Sequence, residues 1–183
     1  MGKQDKNKPK RAAGLFSITD DCMVPGRSIK LLYRGPDPAS IATKLTSSFQ
    51  PFFRISSAGW GEPDFRWDIS GEPATFFIKW WVRKTFSRYS AMLLHLSVQG
   101  DENSQTKKGK FTLELTPVLT TQIPEHWFLR GIFMVYNYLF YDNVRQNYIK
   151  ECRNLTIAYQ EHMKTEFNLS PGSHKTSVDV HRL

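Results

Sequence analysis

Glu62, Asp64, Asp68 and Glu72 crowd one short stretch of the chain. A pair of carboxylates at a fixed separation is the usual equipment of general acid and base chemistry. Asp64 and Asp68 share a face with Arg66 between them, a spacing that reads as a solvated strand surface with cross-strand ion pairs. The histidines His95, His126, His162, His174 and His181 include no pair at helical ligand spacing, and neither Cys22 nor Cys152 lies beside one. A metal centre needs three or four converging donors, so neither a metal nor any other cofactor is expected. Gly59-Trp60-Gly61 lacks the lysine and the strand–turn–helix context of a phosphate loop. His95 with Cys152 or a serine has no nucleophile elbow around it. No residue is assigned a catalytic role. The reading leans away from an enzyme, leaving open only activity built from residues distant in sequence.

Two surfaces carry more information. In the stretch from Phe76 to Lys84, Phe77, Lys79, Trp81 and Arg83 fall on one face if the chain alternates, and Arg66 and Lys30 are candidates for the same face. Aromatics interleaved with cations on an open sheet stack bases and neutralise phosphates. The competing reading has the N-terminal segment or a partner covering Phe77 and Trp81, with the cations snorkelling. The second surface is Trp127–Tyr141, where 12 of 15 residues are apolar or aromatic and cover every side of a helix. Its inner side, with Tyr136 and Phe140, would meet Phe65, Trp67, Trp80 and Leu94 of the sheet around an apolar ligand. Its outer stripe, Phe128, Val135 and Leu139, would face a protein partner or a second copy. A plain thick core capped by residues 12–24 is the alternative.

The elements that must position these residues are legible from periodicity. Ile29, Leu31 and Tyr33 alternate with Lys30, Leu32 and Arg34, which predicts a strand. Asp37-Pro38 supplies an N-cap and first helical residue, Ile41, Leu45 and Phe49 give a short amphipathic helix, and Pro51 is expected to end it. From Arg54 to about Gln122 the pattern is an antiparallel meander, with one clean apolar face per strand and a polar loop from Gly100 to Gly109. A long helix is predicted from about His126 to Phe167, with Val144, Tyr148, Leu155, Tyr159 and Met163 as the stripe of its second half. The expected class is α+β in two layers: an antiparallel sheet of four or five strands, covered on one face by the short helix and the long C-terminal helix. The element order is similar to that of a reduced helix-grip or START-like fold, in which a long C-terminal helix lies across a curved sheet.

The chain has 183 residues and a formal net charge of +8, unevenly spread. Residues 1–11 carry Lys3, Lys6, Lys8, Lys10 and Arg11 against Asp5, and are read as a disordered basic arm. Residues 12–169 form the single domain, only mildly basic, and 170–183 a flexible tail. With 40% hydrophobic residues a folded core is expected. No apolar stretch follows Met1 as a secretion signal would require, and none of about 20 residues is long enough to span a bilayer. The expectation is therefore a cytoplasmic protein with two free thiols. The leading function is a non-enzymatic binding module whose groove between sheet and helix takes an apolar small molecule or a protein partner, a homodimer included. The alternative is an accessory nucleic-acid or ribonucleoprotein binder using the aromatic-basic sheet face and the basic arm.

Overall fold

The structure, a computed structural model, describes residues 15–124 and 142–167. Six strands form one antiparallel sheet: β1 (Leu15–Asp21), β2 (Ile29–Pro36), β3 (Trp60–Asp68), β4 (Ala74–Thr85), β5 (Ser90–Glu102) and β6 (Lys108–Pro124). Helix α1 (Ile41–Phe53) follows β2, and α2 (Asp142–Glu166) closes the described chain. β3, β4, β5 and β6 are sequential neighbours, as the alternation predicts. β1 and β2 both pair with β6, β1 along its second half and β2 along its first. They act as one long edge strand interrupted by an excursion at residues 22–28. The class is α+β, with the short helix and the long C-terminal helix on the sheet.

The covered face is built from every second residue. Phe76, Ile78, Trp80 and Val82 of β4 meet Met92, Leu94, Leu96 and Val98 of β5 and Phe111, Leu113 and Leu115 of β6. Ile41, Leu45, Phe49 and Phe53 of α1 and Cys152, Tyr159 and Met163 of α2 close over them. α2 crosses from the β4–β5 turn, where Tyr148 stacks on Phe86 at 5.4 Å, to the far end, where Phe167 meets Phe111 at 5.2 Å. Each fully buried large apolar side chain contributes about 1.5–3 kcal/mol, so this layer dominates stability.

Several local expectations are revised. Pro51 lies inside α1, which continues to Phe53 and ends on Arg54 in the left-handed region at φ 52°. An internal proline costs roughly 3 kcal/mol. Burying Phe53 fully and Phe52 in part, 4.8 and 4.9 Å from the Tyr159 ring, returns a comparable amount. The Lys84 ammonium then donates to the Phe53 carbonyl at 2.8 Å, satisfying one of the exposed helix acceptors. Asp37 makes no side-chain cap. Instead Glu102, reaching over from β5, accepts the Ala39 N–H at 3.3 Å and pairs with Lys107 at the same distance. The ten-residue loop shrinks to a turn because β5 runs to Glu102 and β6 starts at Lys108. The Asn103 side-chain oxygen organises that turn by accepting the backbone N–H groups of Gln105 and Thr106.

The cysteines expected to be free are joined. Cys22 and Cys152 form a disulfide with their Cα atoms 6.0 Å apart, tying the edge excursion to the middle of α2. Arg153 reinforces it by donating to the Cys22 and Val24 carbonyls, and Arg145 forms a forked pair with Asp20. The stripe of α2 therefore includes Cys152 and Thr156, while Val144 is exposed. Residues 126–141, the first part of the predicted long helix, lie outside the described residues, as do the N-terminal arm and C-terminal tail.

Candidate nucleic-acid interface

Register determines what shares the uncovered face. On β4, burial alternates residue by residue, with Ile78, Trp80 and Val82 facing the helices and Phe77, Lys79, Trp81 and Arg83 facing away. Arg66 of β3 stands opposite Phe77, Asp64 opposite Lys79 and Gly61 opposite Trp81. On the other side Phe77 is flanked by Gln99, Lys79 by Ser97 and Trp81 by His95 of β5. Lys30 of β2 sits beyond Glu114 in the row of Lys79 and Ser97. The six residues of the aromatic-basic reading thus lie on one face, with Lys30 three strands from Lys79, about 14 Å at ordinary strand spacing. Neither helix covers it.

That face has two hollows. One, of about 650 Å3, lies at the Phe77 end and includes Leu32, Arg34, Arg66, Gln99, Asp101 and Lys110 in its walls. The other, of about 330 Å3, lies at the Trp81 end, walled by Arg83, Arg88, Tyr89, Leu93 and Thr120. Trp81 owes its pose to Gly61. A Cβ there would fall 2.8 Å from the indole nitrogen, so only glycine lets the ring lie against the β3 backbone. Phe77 and Trp81 are half-buried. The Lys79 ammonium stands 5.1 Å and the Arg66 guanidinium 5.9 Å from the Phe77 ring centroid.

Charge on the face divides into paired and unpaired groups. Lys30 is 3.7 Å from Glu114, Lys110 is 3.5 Å from Asp101, and Arg66 chelates Asp64 at 2.9 and 3.1 Å. Lys79, Arg34, Arg83 and Arg88 are exposed and have no carboxylate partner among the described residues. The Ser70 hydroxyl and N–H, both bonded to Asp68, hold that carboxyl below its usual range. Arg34 was legible as the alternating neighbour of Lys30. Asp101 fell in what reads as loop and Lys110 just after it, and nothing in their spacing places them beside Phe77.

The four described groove residues share the helix side of the sheet but differ in burial. Trp80 and Leu94 are core, at 1% and 0% exposure, and Trp80 donates its indole N–H to Glu62 at 2.7 Å. Phe65 and Trp67 lie on the helix side of edge strand β3 but beyond the helices, 53% and 40% exposed and stacked on each other at 6.2 Å. Phe128, Val135, Tyr136, Leu139 and Phe140 are outside the described residues. The acidic stretch is spent on local structure: Glu62 on Trp80, Asp64 on Arg66, Asp68 on Ser70, and Glu72 on the Ser104 N–H. His162 stacks on Phe52 and His95 is exposed beside Trp81. Among the described residues no three His, Cys, Asp or Glu side chains converge as metal ligands, and no helix is long and apolar enough to cross a membrane.

A comparison with protein-family models, with curated proteins and with solved structures finds no match to this chain.

Proposed function

We propose that this protein binds single-stranded nucleic acid across the face of its sheet that neither described helix covers. The observation that carries the reading is the column Phe77, Lys79, Trp81 and Arg83, which alternates outward on β4 with two half-buried aromatic rings between exposed cations. Phe77 and Trp81 are four residues apart, or about 13 Å along a strand. Bases in a continuous duplex stack rise only about 3.4 Å. Both rings can be served only by bases splayed out of such a stack, which a single strand presents at little cost. Lys79, Arg83, Arg34 and Arg88, without carboxylate partners among the described residues, neutralise phosphates, and the basic arm at residues 3–11 adds sequence-independent attraction.

The test is fluorescence anisotropy with a labelled oligouridine of about ten nucleotides. Four phosphate contacts predict that affinity falls roughly 50-fold between about 50 and 200 mM salt. Trp81→Ala should cost about 1–3 kcal/mol of binding. Binding that vanishes on deleting residues 1–11 yet ignores Trp81→Ala would reduce the effect to attraction by the arm and sink the proposal.

A second reading rests on Phe65 and Trp67. Their exposure on a free sheet edge suits docking of a protein partner or a second copy, the partner version of the sequence-derived groove. Trp67→Ala would then shift the oligomeric state or a partner's affinity while leaving oligouridine binding unchanged.

A further inference from the structure

The two hollows differ chemically. Around Trp81 the walls include Arg83, Arg88, Tyr89, Leu93, Thr120 and Gln122 but no carboxylate. Stacking there tolerates any base. Around Phe77 hydrogen-bonding groups are arranged in register. Gln99 stands next to Phe77 on the neighbouring strand, and Asp101, two residues further along, stands opposite Thr75. Neighbouring strands are about 4.8 Å apart, and same-face residues along a strand about 7 Å. A base stacked on Phe77 with its edge toward β5 therefore lies within reach of the Gln99 amide and the Asp101 carboxylate.

Resting on the single-strand reading above, we propose that the Phe77 end selects the base it stacks, taking guanine ahead of uracil through Asp101 and Gln99. A carboxylate only accepts hydrogen bonds, and its two oxygens match two adjacent N–H donors. Guanine presents such a pair at N1 and the exocyclic N2, and its O6 accepts from the Gln99 amide. Uracil offers one N–H between two carbonyls, which the carboxylate repels. Lys110, 3.5 Å from Asp101, anchors the carboxylate on the side away from Phe77. Asp101 lies on the strand row next to Phe77, and the hollow there is large enough for a purine.

The experiment compares labelled oligouridine with the same oligomer carrying one central guanosine, adenosine or cytidine, using the full chain. The guanosine oligomer should bind about tenfold more tightly than oligouridine. Asp101→Asn, which replaces one acceptor oxygen by a donor, should erase that margin. Gln99→Ala should narrow it. Equal affinity for all four oligomers, with Trp81→Ala still weakening each, would overturn base selection and leave the stacking face standing. A guanosine margin that survives both Asp101→Asn and Gln99→Ala would overturn the assignment of these residues. If none of the oligomers binds, the face itself has been misread and both proposals fall together.

Discussion

At Tyr159 a single phenol joins the two helices to each other. Its ring contacts Phe49, Phe52 and Phe53, and its hydroxyl lies 2.8 Å from the Ser48 hydroxyl. Ser48 already donates its one proton to the Leu45 carbonyl, so Tyr159 is the donor between them. Burial pushes this phenol well above its ordinary value of 10.0. In the folded protein the neutral form is favoured, so the associated stability is intact below pH 10. It is lost as pH rises past that value, where the unfolded chain ionises first. Each pH unit above about 10 should cost roughly 1.4 kcal/mol until the folded-state value is reached. Urea unfolding measured from pH 8 to 11 should show that decline, and Tyr159→Phe should remove this residue's share of it. The same variant should lose about 0.5–1.5 kcal/mol at neutral pH, from the hydrogen bond. A decline as steep in Tyr159→Phe as in the unmodified chain would assign the alkaline loss to other groups.

Among the elements, the β5–β6 hairpin shows where close approach outweighs side-chain preference. A Cβ at Gly109 would fall 2.0 Å from the Asp101 carbonyl oxygen, a backbone atom that cannot swing away. Gly109→Ala should therefore destabilise by about 1–3 kcal/mol in thermal or denaturant unfolding. It should also displace Asp101 and so disturb base selection more than stacking at Trp81. Unchanged stability would mean that the hairpin relaxes freely. The strands themselves were legible because a sheet covered on one side writes its burial directly into alternate residues, as in Phe76, Ile78, Trp80 and Val82. The outward column on β4 followed from the same alternation. The partners across it did not, because Gln99 and Asp101 come beside Phe77 through register, and register depends on a turn that reads as plain polar sequence. β1 was ambiguous for a related reason: its pairing with residues 118–124 is a contact between distant segments.

For the whole molecule, the Cys22–Cys152 bond is the long-range constraint that composition concealed. Two cysteines 130 residues apart carry no spacing signal that would pair them. Reduction, or Cys22→Ser with Cys152→Ser, should lower stability by about 2–4 kcal/mol, measured by denaturant unfolding with and without reductant. Because the bond lies on the helix side of the sheet, oligouridine binding at a temperature where the reduced protein is still folded should be unaffected. Loss of binding under those conditions would show that the outward face depends on the bond.

The same bond turns most of the sheet into a closed covalent ring. Residues 22–152 contain β2 to β6 and α1, and the exposed turn at residues 104–106 lies within the loop. A protease that nicks that turn once opens the ring without dividing the molecule: both pieces stay on one skeleton, held at the edge excursion and at α2. The strands that carry the two hollows are thus buffered against the commonest injury to a surface loop, since a severed hairpin remains tethered beside its partners and can close again.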